Sequence, residues 1–123
     1  MTTKRGIQPA DSFDATAIGF SQGVLVGDIL YVSGQVSTAE GLAAQVAEAW
    51  GLVVGVVTTA GGQASDIVKI NVFTRDESAW THLQPLIKAA MEPPYPTSTM
   101  VTVVGLARPE FLIEIEAVAH LGS

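Results

Sequence analysis

The chain has no cysteine among its 123 residues. That absence excludes disulfides, thiolate metal sites and a cysteine nucleophile together. Basic residues are scarce as well. Lys4, Arg5, Lys69, Arg75, Lys88 and Arg108 are the six present, against twelve acidic side chains, for a net charge of −6. A phosphate-backbone partner selects clustered Lys and Arg. These six are scattered, so no nucleic-acid partner is expected. Long apolar runs are also missing: the Leu52–Val57 stretch is ended by Thr58-Thr59, well short of the ~18 residues of a membrane span. The N-terminus, MTTKRGIQPADSFDATAIGF, has no apolar segment behind its basic residues and does not read as a secretory signal. A cytoplasmic protein with no membrane partner is the resulting expectation. His82 and His120 have no metal-ligand spacing, so neither a metal nor another cofactor is expected.

Apolar residues, by contrast, are abundant. They make up 48% of the chain and charged residues only 15%. The length suits a single domain, 1–123, and a small domain has much surface to cover. So lean a charge content points to surface buried against copies of the same chain.

The apolar pattern divides the chain into elements. Residues 1–20 read as polar and irregular. Val24–Val26 and Ile29–Gln35 flank Gly27-Asp28, the signature of a two-residue type II′ hairpin. Gly34 inside the second strand marks a bulge or a close backbone approach. Leu42, Val46, Ala49, Val53, Val56 and Ala60 step by four and three, which predicts a helix over 42–60 stopped by Gly61-Gly62. Gly51 and Gly55 within it each cost ~1 kcal/mol against Ala, so a close backbone approach is expected on their face. Ile67–Thr74 alternates as a strand. A second helix over 77–91 is interrupted by Pro85, and Pro93, Pro94 and Pro96 stiffen the loop behind it. Thr97–Val104 and Phe111–His120 read as the last two strands. The order ββ, α, β, α, ββ predicts an α+β fold: a mixed sheet with both helices packed on one face.

The final strand carries the chemistry. Alternation puts Leu112, Glu114, Glu116 and Val118 on one face, and Ile113, Ile115, Ala117 and Ala119 on the other. The two glutamate Cα atoms are then ~7 Å apart. A carboxylate flanked by Ile, Ala and Val is costly to desolvate, which raises its pKa towards neutrality and suits general acid–base work. Two carboxylates on one strand do not face each other across a cleft as glycoside hydrolysis requires. Neither histidine is placed to build a triad with Ser98. Trp50 and Trp80 are read as core or interface residues.

Five motifs, in order, carry a resemblance: Gly19-Phe20-Ser21-Gln22-Gly23, Tyr31-Val32-Ser33-Gly34-Gln35, Asp66-Ile67-Val68-Lys69, Val72-Phe73 followed by Arg75-Asp76, and Ile113-Glu114-Ile115-Glu116-Ala117-Val118-Ala119. The chain resembles the RidA/YjgF family of reactive enamine/imine deaminases over about residues 18–119. The resemblance implies a chorismate-mutase-like α+β fold, a homotrimer, and a small-molecule pocket at each subunit interface. It implies hydrolysis of amino-acid-derived enamines and imines to ammonia and a 2-oxo acid. Within it Glu114 positions the attacking water, Ser33 and Gly34 offer backbone groups to the ligand, and Phe20 stands at the pocket edge. Glu116 stays structural or solvent-facing.

Two positions depart from the family pattern. The Pro-x-Arg-Ser of the family stands here as Pro96-Thr97-Ser98-Thr99, so Ser98 replaces the arginine that grips a substrate carboxylate. Phe20 replaces a tyrosine. Met100 shares a strand face with Ser98 and is a candidate lining residue beside it. Arg108 is not aligned with the missing arginine. The resulting expectation is a RidA-like hydrolase acting on C–N bonds. The alternative is a non-catalytic trimer that binds a small metabolite, since the charged fork is gone. Ribonuclease activity, also assigned to relatives, does not fit the acidic balance.

Overall fold

In the computed structural model, which describes residues 3–123, the Gly27-Asp28 turn joins β2 (Gly23–Val26) to β3 (Ile29–Gln35). Gly27 has φ +60 and no described non-glycine residue, Asp28 included, has positive φ, as a type II′ turn requires. The hairpin is extended on its outer side by β1 (Lys4–Ile7), antiparallel to β2 with Ile7 opposite Gly23. This corrects the reading of residues 1–20 as irregular. The strand has one buried side chain, Ile7, so it carries no apolar alternation, and its partner lies about 20 residues away.

The first helix, α1 (Leu42–Thr59), buries Val46, Ala49, Trp50, Val53, Val56 and Val57. By length and hydropathy it is apolar enough to cross a membrane; its buried stripe identifies it as the core helix. At its end the Gly61 N–H donates to the Thr58 carbonyl and the Gly62 N–H to the Val57 carbonyl, a Schellman stop with Gly61 left-handed at φ +97. Gly51 and Gly55 do not make the expected close approach. A Cβ at either position would meet nothing within 4 Å.

The strand β4 (Ile67–Thr74) is followed by α2 (Ala79–Ala90), then by β5 (Thr97–Thr102) parallel to β4, and finally by β6 (Ile113–His120). Pro85 sits inside α2 without ending it. The carbonyl that loses its donor belongs to Thr81, which is exposed and therefore open to water. The sheet order is β1-β2-β3-β6-β4-β5. The last strand is thus central, antiparallel to β3 and to β4.

Both helices cover one face of this mixed sheet, as expected. Leu30, Ile70, Ile113, Ile115 and Ala119 point into that core and are fully or almost fully buried. The opposite face is uncovered in the single chain. It carries Tyr31, Lys69, Asn71, Phe73, Glu114, Glu116 and Val118, because strand alternation sends every second side chain there.

Candidate functional site

The site is built where β3 bulges against β6. Val32 pairs with Ala117 and Gln35 with Ile115, so three steps along β3 match two along β6. The extra residue falls at Ser33-Gly34. Gly34 then passes directly beneath Glu114: a Cβ there would lie 2.6 Å from the Glu114 Cδ, 2.7 Å from its Cγ and 2.8 Å from its Oε2. The sequence offered a bulge or a close approach at Gly34, and both occur. Only a residue without a Cβ lets the glutamate lie down across the strand.

Behind the bulge two buried glutamines hold its shape. Gln35 Nε2 donates to Gln22 Oε1 at 2.8 Å and to the Ser33 carbonyl at 3.0 Å. Gln22 Nε2 donates to the Phe13 carbonyl at 2.8 Å. A buried amide needs such partners, and here they tie β3 to the segment carrying Phe13. The Ser33 hydroxyl donates to the Ser21 carbonyl, and the Ser33 N–H to the Gln22 carbonyl.

Glu114, Gly34 and Phe20 line one groove of about 730 Å³. Phe13 and Ile18, both exposed, line it as well, as do Arg108 and Phe111 on the loop before β6. The Glu114 carboxylate accepts no hydrogen bond among the described residues. Burial pushes its pKa up, and the negative charge of Glu116 adds to the shift. Glu116, two residues on, is answered: Asn71 Nδ2 donates to its Oε2 at 2.9 Å. Glu116 lines a separate hollow of about 230 Å³ with Ser33, Tyr31, Lys69 and Asn71. The two carboxylates therefore share a face but not an environment.

Ser98 and Met100 lie elsewhere. On β5 they pair with Ile70 and Val72, whose side chains enter the core, so they share the helix-covered face. Met100 packs against that core and Ser98 is exposed. Glu114 pairs with Phe73 on the opposite face. Within one chain, Ser98 and Glu114 do not meet.

Sequence reasoning missed three contributors. Gln22 and Gln35 stand inside the quoted motifs, but their burial needs the fold. Gln45, on α1, donates through Nε2 to the Ala39 carbonyl and, at 2.9 Å, to the Glu110 carbonyl, while its Oε1 accepts from the Leu112 N–H at 2.8 Å. It clamps the loop before β6 from 67 residues away, a separation no local pattern reports.

With this geometry in place, similarity to known proteins decides the family. The family described as endoribonuclease L-PSP, which is the RidA/YjgF family, matches residues 11–121. The chain belongs to the RidA/YjgF family. A 2-iminobutanoate/2-iminopropanoate deaminase from Dermatophagoides farinae is 29% identical over 107 residues, 80% of this chain and 83% of that protein. A Pseudomonas aeruginosa protein of unknown function superposes with TM-score 0.88 at 30% identity, over 99% of this chain and 95% of its own. RidA from an Antarctic Psychrobacter superposes with TM-score 0.80 at 30% identity, over 95% of this chain and 99% of its own. This RidA/YjgF member has the two helices and mixed sheet of its structural neighbours. The expected fold is therefore the observed one.

Proposed function

We propose that this protein is a hydrolase of small reactive imines or enamines, with Glu114 as the group that positions and activates water. The observation that supports it most is the Glu114 carboxylate itself: laid over Gly34, raised in pKa and without a protein partner, beside a groove of small-molecule size. A carboxylate whose pKa is raised towards working pH takes and returns a proton well. Glu114 accepts a proton from water as the water oxygen bonds to the imine carbon, giving a carbinolamine. The protonated Glu114 returns that proton to nitrogen, which completes the neutral carbinolamine. Glu114 then takes the carbinolamine O–H proton and delivers it to the same nitrogen as the C–N bond breaks, so that ammonia leaves with a carbonyl product. Water and imine thus balance ammonia and ketone.

The working form on this reading is a cytoplasmic homotrimer. Exposed Tyr31 and Val101 on the uncovered sheet face and Phe13, Ile18 and Phe20 beside the groove support burial against other copies. Ser98 and Met100 of the partner subunit would complete each groove, since in one chain they face away from Glu114. Phe20 supplies an apolar wall. Gly34 supplies the strand backbone along which the ligand lies, while Ser33, which lines the neighbouring hollow, holds the bulge in shape.

The test is release of 2-oxobutanoate from freshly generated 2-iminobutanoate, measured against buffer. Wild type should exceed the buffer rate clearly, and Glu114→Gln should fall to within a few-fold of it. No excess rate sinks deamination. Glu114→Gln as active as wild type sinks the role of Glu114. The second reading, a binding trimer without turnover, is favoured by Ser98 where relatives carry an arginine. It predicts a metabolite recovered unchanged by native mass spectrometry.

A further inference from the structure

We infer that Arg108 is the anchor for a ligand carboxylate in the Glu114 groove, although Ser98 occupies the usual arginine position. The inference rests on the reading of Glu114 above. Arg108 is the only cation lining the groove among the described residues, and it shares that groove with Glu114, Phe20 and Gly34. The other charged groups of the lining are Asp11, Glu48 and Glu114. An anionic ligand entering without Arg108 meets only like charge.

The loop that carries Arg108 is held firmly for a connection with no regular structure. Arg75 Nη1 donates to the Pro109 carbonyl at 2.8 Å, and the Arg75 N–H donates to the Leu112 carbonyl at 2.9 Å. Gln45 takes the Glu110 carbonyl and the Leu112 N–H, and the Phe111 N–H donates to the Arg108 carbonyl at 3.1 Å. The guanidinium is oriented as well. Its centre stands 5.7 Å from the Phe111 ring centroid, and Nη2 bonds Glu110 Oε2 at 2.9 Å. The Arg108 and Glu110 side chains are 63% and 44% exposed, so water weakens their pairing and leaves it exchangeable. One edge of the fork is occupied by Glu110, and the other donors have no partner among the described residues. A planar fork with an open edge suits bidentate capture of a carboxylate.

The decisive measurement is binding of two stable probes, 2-oxobutanoate and its uncharged analogue 2-butanone, to wild type, Arg108→Gln and Arg108→Lys, read by saturation-transfer NMR titration. Wild type should prefer 2-oxobutanoate. Arg108→Gln should weaken that probe about 10- to 100-fold, the loss of one charge-assisted hydrogen bond or more, and leave 2-butanone unchanged. Arg108→Lys should recover only part, because a point charge lacks the fork. In turnover of 2-iminobutanoate the loss should fall on KM rather than kcat. Unchanged 2-oxobutanoate binding in Arg108→Gln, with wild type active, overturns the anchor and leaves Glu114 standing. Wild type that neither binds 2-oxobutanoate nor turns over 2-iminobutanoate overturns the Glu114 reading and the anchor with it. Exposure of Arg108 keeps the variants folded, and unchanged circular dichroism confirms it.

Discussion

Gly34→Ala separates folding from function at this site. The new Cβ would stand 2.6 Å from Glu114 Cδ and 2.8 Å from Oε2, where ordinary contact needs roughly 3.5 Å or more. The three nearest atoms it meets all belong to one side chain that ends in the open groove. The glutamate can therefore rotate aside, at an off-rotamer cost of roughly 0.5–1.5 kcal/mol. Gly34 has no positive φ, so the backbone accepts alanine. Alanine also recovers roughly 0.5–1 kcal/mol of the entropy that glycine loses in a strand. The two effects nearly cancel, and stability should move by no more than about 1 kcal/mol. Function should not survive as well. The carboxylate is displaced by roughly 1 Å, a misplacement that costs on the order of 100-fold in rate.

The measurements are kcat/KM for 2-iminobutanoate and the midpoint of thermal unfolding. A second substitution isolates the cause. In a Glu114→Ala background the clash is absent, so Gly34→Ala should become stabilising, and the cycle should show coupling between the two sites. Wild-type activity in Gly34→Ala, or the same stability change in both backgrounds, would refute the close packing of Glu114 on Gly34.

The remaining predictions concern charge, helix propensity and the loop clamp. The Glu114 pKa is raised in the folded chain, so the native state holds its proton more tightly than the unfolded one, and the stability this confers is lost as pH rises through the raised value. Glu114→Gln should therefore be more stable than wild type near neutral pH, with the advantage vanishing below the ordinary glutamate range; urea titrations across pH measure it, and an advantage that grows on acidification contradicts it. Gly51→Ala and Gly55→Ala meet nothing within 4 Å and should each add about 1 kcal/mol by denaturant unfolding; a loss at either would mean that another chain packs there. Gln45→Leu strands the Glu110 carbonyl and the Leu112 N–H and should cost about 2–3 kcal/mol. The same variant should speed amide exchange in the loop before β6, and protection equal to wild type would show that Arg75 alone holds that loop.

Much of the fold was legible because it depends on local periodicity. The stripe through Val46, Ala49, Val53 and Val56 gave α1, the Gly27-Asp28 turn gave the hairpin, and the alternation of Ile113 to Ala119 gave β6. The first strand was not legible, since Lys4–Ile7 is a strand only through pairing with Gly23–Val26. The glycines at 51 and 55 misled for a related reason: spacing shows which residues share a face, not what stands opposite.

By itself the sequence determined that Glu114 and Glu116 lie on one side of a half-buried strand, and that Gly34 needs a reason to be glycine. Side-chain alternation and the absence of a Cβ are local facts. Only the tertiary structure decided that Gly34 is glycine because of Glu114, that Asn71 answers Glu116 while no described residue answers Glu114, and that Ser98 lies across the sheet while Arg108 enters the groove. These depend on register across neighbouring strands and on a loop clamped by Arg75 and Gln45, contacts that close only when distant segments meet.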